Sequence, residues 1–186
     1  MERKKIITMK KSILLLLCSI FLFVTSCKEV DKLTHFNMDY DSHTTIPATF
    51  GINLPIDVWT PDIPTNSTTT FESNDTRKDL IEVIVLKKMK LTITSPESAS
   101  WDFLKTIEIY ISADGSEEKK IAWLENIPQN GAKVIDLETS SDDLKEYIKK
   151  DEYKLRTKTV TRQLISQDIE VDINASFYVD AKILGI

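Results

Sequence analysis

Cysteine, histidine and glycine are scarce in this chain of 186 residues, which has two, two and four of them. Both cysteines, Cys18 and Cys27, fall near the start, so the residues after them can form no disulfide and carry no thiol chemistry. The core must hold by itself. The two histidines, His35 and His43, lie close together in one segment, which leaves little material for a Ser-His-Asp or other histidine-based catalytic site. Few glycines mean few tight turns with positive φ, so some connections are expected to be longer loops. No GxSxG, HExxH, phosphate-binding glycine loop or dinucleotide fingerprint is present. On this reading the chain is not an enzyme and needs no cofactor.

Long apolar runs are also missing, with one short exception. Arg3, Lys4, Lys5, Lys10 and Lys11 precede Ile13 to Val24, a run of 12 residues that is apolar apart from Ser19. A permanent membrane helix needs about 20 such residues. The pattern fits the basic and apolar regions of a cleaved export signal, and Met9 with its two lysines would also make a complete start. Val24, Thr25, Ser26 and Cys27 then resemble the bacterial lipobox, a branched aliphatic and two small residues before a cysteine. The resemblance implies cleavage after residue 26, a diacylglycerol on the Cys27 sulfur and acylation of its new amino group. Acyl chains contribute about 0.8 kcal/mol per buried methylene, so several of them hold a protein firmly on a bilayer. Residues 28–33 form a polar tether that spans only about 20 Å when extended. Lys28 is not the aspartate associated with retention in the inner membrane, so the resemblance points to the outer membrane. It also places this chain with β-sandwich lipoproteins of the Gram-negative envelope.

Loss of residues 1–26 removes five basic residues and Glu2, moving the net charge from −5 to −9. So acidic a body argues against nucleic acid and against electrostatic adhesion to anionic lipid. The sequons at Asn66, Asn74 and Asn174 have no use in a bacterial envelope. The 160 residues from Cys27 onward suit a single domain, expected over 34–186.

From Thr34 onward the dominant period is two, which is that of a strand. Phe36, Met38 and Tyr40 share one face of the first strand, which should end near Pro47. A second extended piece covers 48–58, an irregular loop 59–66, and a third strand 67–72. Val83, Val85, Met89, Leu91 and Ile93 alternate along a fourth. Residues 97–104 read as a loop with a helical turn at Trp101. Ile107, Ile109 and Ile111, followed by Asp114-Gly115 and 119–124, make a hairpin. Another strand fits 133–137, and Ser140 or Ser141 can cap one short helix over 142–149 that buries Leu144, Tyr147 and Ile148. Strands resume over 153–164, and odd positions from Ile169 to Ile183 form an unbroken apolar parity. The fold class is therefore all-β, an antiparallel β-sandwich, broadly immunoglobulin-like in architecture. Strand order does not follow from the pattern.

His35, Asp39, Asp41 and His43 suggest metal ligands, but alternate strand residues stand about 7 Å apart and cannot all reach one small ion. A solvated face is the better reading. Asp114 to Glu118 is acidic but lacks the spacing of a calcium loop. Trp59, Trp101 and Trp123 are the candidate ligand-binding residues, since aromatic faces stack on sugar rings. A sugar platform requires at least two of them exposed within one sugar's length; otherwise they serve packing. The function classes in play are thus a lipid-anchored interaction or structural module that binds another envelope protein, through loops or by strand addition, and a carbohydrate-binding surface lipoprotein linked to glycan uptake.

Overall fold

The computed structural model describes residues 35–48, 53 and 55–182. Cys27, the export signal, the tether and Ile183 lie outside the described residues. Ten strands follow one another: β1 (His35–Ile46), β2 (Pro55–Trp59), β3 (Ile63–Pro64), β4 (Ile81–Ser95), β5 (Leu104–Ser112), β6 (Lys119–Glu125), β7 (Val134–Asp136), β8 (Glu138–Thr139), β9 (Glu152–Thr161) and β10 (Ile169–Ala181). They form a four-stranded sheet in the order β1-β10-β4-β7 and a six-stranded sheet in the order β2-β9-β5-β6-β8, with β3 also paired to β9. The expected antiparallel sandwich is present. Its strand order, which the sequence left open, is that of a jelly roll: leaving aside the two-residue strands β3 and β8, successive strands alternate between sheets except at the β5–β6 hairpin, whose two strands share the six-stranded sheet.

Parity makes the core. Ile169, Val171, Ile173, Ala175, Phe177, Val179 and Ala181 of β10 are all buried, as expected, while the intervening residues after Glu170 are half-buried rather than exposed. In β1 the buried set is Met38, Tyr40, Thr44 and Ile46. Ile107, Ile109 and Ile111 of β5 face the same interior, and β5 pairs with β6 through the expected hairpin. Gly115, at φ 70, supplies the positive φ of the connecting turn. Tyr40, Phe177 and Tyr153 meet edge to face at centroid distances of 5.6 to 6.3 Å, linking the two sheets. The Tyr40 hydroxyl donates to the Thr65 carbonyl at 2.8 Å, so burying this polar group costs little.

Three expectations are corrected. The segment expected as a third strand is a helix, α1 (Ser67–Ser73). Asn66, at φ 48, turns the chain out of its extended path. Phe71 then buries completely and meets Phe36 at 6.2 Å, a packing gain that outweighs the β preference of three threonines. In β4 the buried residues are Ile81, Ile84 and Leu86, followed by Met89, Leu91 and Ile93, while Val83 and Val85 face outward. Ser176 pairs with Lys88 and Phe177 with Leu86, so Lys87 is the extra residue of a bulge that resets the parity. Finally, the later helix is only α2 (Lys145–Ile148), with Leu144 rather than a serine at its N-cap and no side-chain cap; Asp143, one residue earlier, holds the turn, its Oδ1 accepting from the backbone N–H of Lys145 and of Ile84, both at 3.1 Å. Leu144, Tyr147 and Ile148 are buried as expected.

Candidate functional site

The three tryptophans part company. Trp101 opens the 3-10 turn Trp101–Phe103, is fully buried, stacks on Phe103 at 6.0 Å and donates its indole N–H to the Lys133 carbonyl at 2.9 Å. It is a core residue. Trp59 and Trp123 both lie on the outer face of the six-stranded sheet, because Trp59 pairs with Arg156, Arg156 with Tyr110, and Trp123 with Glu108. Three strand spacings separate them, about 14 Å. That exceeds the width of one sugar ring, so they make no single-sugar platform.

What this face does contain is a clamp that no single stretch of sequence displays. Arg156 rises from β9 between Trp59 on β2 and Tyr110 on β5, its guanidinium carbon 4.3 Å from the Tyr110 ring centroid and 5.9 Å from that of Trp59. Nε and Nη2 donate to the two carboxylate oxygens of Glu118 at 2.7 and 2.5 Å, and Nη1 donates to Asp57 at 2.6 Å. Its side chain is only 16% exposed. Hydrogen bonding to Glu118 raises the already high guanidinium pKa; burial opposes this, and the bond to Asp57 adds to it. The cation is thus permanently charged and fixed. Trp59, at the sheet edge, remains 51% exposed.

Beside the clamp runs a second row. Burial pushes the Glu108 carboxyl up, but hydrogen bonds from Tyr110 at 3.0 Å and Lys120 at 3.2 Å, with the charges of Lys120 and Lys158, hold it below the ordinary range. Lys120 also lies 5.3 Å from the Trp123 ring centroid, and the Trp123 indole donates to Glu138 at 2.9 Å. Every charge in these rows except Glu138, which accepts from the Trp123 indole, therefore has an opposite neighbour. The face thus presents aromatic rings and largely neutralised ion pairs.

His43 and Asp172 are 2.8 Å apart on the other sheet, and Asp41 accepts from the Asn174 amide at 2.6 Å. No group of three or more potential metal ligands occurs among the described residues. Among those residues, too, no helix is long and apolar enough to cross a membrane. The clamp eluded sequence reasoning because its members come from four separate segments. The one available signal was an arginine at an outward position of a strand in an otherwise acidic chain.

No protein-family model matches this chain, and no curated protein matches it. Solved structures similar to it include a Desmodium yellow mottle tymovirus chain at 12% identity and TM-score 0.28, covering 82% of this chain and 91% of that one. The Cyanophage Pam1 capsid asymmetric unit matches at 8% identity and TM-score 0.38, covering 78% and 86%. Recombinant N-glycanase F matches at 15% identity and TM-score 0.39, covering 81% of this chain and 43% of the other. These likenesses carry no functional argument, and the fold assignment rests on the strand order itself.

Proposed function

We propose that this chain is a lipid-anchored protein of the bacterial envelope, held through Cys27 in the outer membrane, that binds a protein partner through the outer face of its six-stranded sheet and performs no chemistry. The observation that carries the reading is the Arg156 clamp with Trp59 half-exposed above it. Trp, Tyr and Arg are the residue types that dominate binding hot spots. Holding them rigid before the partner arrives lowers the entropy that binding must forfeit. The carbohydrate reading keeps one point of support, that Trp59 and Trp123 share a face. Their separation and the burial of Trp101 weigh against it.

The test is a photo-crosslinking residue placed at position 59 in the full chain in living cells, with position 37 on the other sheet as control. A single envelope protein captured at 59, absent at 37 and lost when Arg156→Ala is added, is the expected result. Retention on a polysaccharide that Trp59→Ala and Trp123→Ala each abolish would instead establish the glycan reading. Substrate turnover abolished by a single carboxylate substitution would overturn both.

A further inference from the structure

The outer face of the four-stranded sheet separates its charges by strand. Asp39 and Asp41 project from β1, while Lys88 and Lys90 project from β4, two strands away. Between them β10 presents only small polar side chains, Asn174 and Ser176. Lys90 pairs with Asn174 and Lys88 with Ser176. The Asn174 amide donates to Asp41, and His43 meets Asp172 two residues along each strand, so Asp39 falls beside Ser176. Two parallel rungs result: Asp41, Asn174, Lys90 and Asp39, Ser176, Lys88. They border a shallow groove of about 300 Å³ along β10 with one acidic and one basic wall. Lys88 reaches only Asp136, at 4.0 Å with both side chains largely exposed, and neither Asp39 nor Lys90 has an ion-pair partner among the described residues.

We propose that two copies of this chain associate face to face through this surface, related by a two-fold axis running along β10. The axis follows from the rungs. Rotation about a line along β10 exchanges the β1 side with the β4 side and leaves position along the strands unchanged. Asp41 of one copy then lies over Lys90 of the other, Asp39 lies over Lys88, and the same pairs recur in reverse, as a two-fold interface requires. Four ion pairs form without any side chain changing strand. The strands of the two copies keep nearly the same direction, as aligned face-to-face sheets do. On the axis itself, Asn174 and Ser176 meet their own copies, and the larger Tyr178, two residues beyond Ser176 on the same face, meets its own copy next to them. Asp172 also meets its copy there, with His43 beside each carboxylate. This like-charge contact, like those of Glu170 and Asp180 farther along the same face of β10, weakens the association, while the four ion pairs that hold it make it salt-dependent. The inference concerns the sheet opposite the aromatic face and stands independently of the partner proposed for that face.

Two differently tagged full chains, co-expressed and solubilised in detergent, test it by co-purification. Wild-type copies are expected to co-purify, with at least a roughly tenfold loss between about 50 and 500 mM NaCl as the pairs are screened. The double substitution Asp39→Lys/Asp41→Lys makes both walls basic, and Lys88→Asp/Lys90→Asp makes both acidic. Each variant should lose pairing with itself, while the two together should pair at least as well as wild type. That restoration also proves both variants folded. In a second measurement, Ser176→Cys on the axis should yield a disulfide-linked homodimer under mild oxidation, and Thr45→Cys, exposed away from the rungs, should not. Wild-type copies that fail to co-purify at low salt, or oppositely charged variants that fail to pair while Ser176→Cys gives no linked dimer, would overturn the proposal.

Discussion

Replacing Arg156 by alanine should both loosen the sheet and disarm the exposed face, and the structure sets the size of the first effect. The bidentate bond to Glu118 joins a mostly buried cation to a carboxylate that is 32% exposed, and hydrogen bonds to charged groups contribute about 1.5 to 3 kcal/mol. The Tyr110 stack adds about 1 kcal/mol. Asp57 is 51% exposed, so its pair is screened and contributes about 0.5 kcal/mol or less. Arg156→Ala should therefore destabilise by about 2.5 to 4.5 kcal/mol, which lowers Tm by roughly 5 to 18 °C in a domain of this size. Arg156→Lys retains the charge but neither the planar fork nor the stack, and should recover less than half of the loss. Thermal unfolding followed by circular dichroism at matched salt measures both. If Arg156→Ala unfolds within about 0.5 kcal/mol of wild type, or lysine proves as good as arginine, the guanidinium is no clamp and the argument for a preorganised Trp59 fails.

Phe177→Ala removes a fully buried ring at the junction of the two sheets and should cost about 3 to 5 kcal/mol in denaturant unfolding, whereas Trp59→Ala should stay within about 0.5 kcal/mol. Burial pushes the Tyr147 hydroxyl up to about 12. A raised folded pKa gives stability that is complete below the unfolded value near 10 and is lost as pH rises toward 12, so alkaline titration should unfold wild type earlier than Tyr147→Phe. For Asp143 burial pushes the pKa up, but the bonds from Lys145 and the Ile84 N–H bring it below its ordinary value. Its contribution should persist above about pH 4 and fade as pH falls through the folded pKa, an acid loss that Asp143→Asn lacks. Cys27→Ser should release the chain from the membrane fraction or leave it unprocessed; mature wild-type protein without lipid in a mass spectrum would defeat the anchor proposal.

The elements legible in sequence were those whose signal is local. β10 alternates over thirteen residues with its odd positions buried, and the β5 to β6 hairpin carries Asp114-Gly115 at its turn. The β4 bulge leaves a trace in the sequence: Leu86 and Met89 sit three apart, and two adjacent lysines fill the gap, so the parity must change between them. Helix α1 misled because its threonines favour strands, while the deciding event, Phe71 entering the core, is tertiary. The candidate site was half legible. Trp59 was named, but Asp57, Tyr110, Glu118 and Arg156 come together only through the order of β2, β9, β5 and β6, which no short-range pattern encodes.

The position of β10 bears on when the chain can fold. It is the last of the described strands in sequence, yet it lies between β1 and β4 and pairs with β4 along most of its length. Until it arrives, β1 has no neighbour in its sheet, and the inner faces of both β1 and β4 lack most of their cover. Loop closure over more than a hundred residues must precede the contacts that reward it, which places such topologies among the slow folders, in milliseconds to seconds. A nascent chain of this design cannot close its four-stranded sheet before β10 has been made, however early β1 and β4 are available.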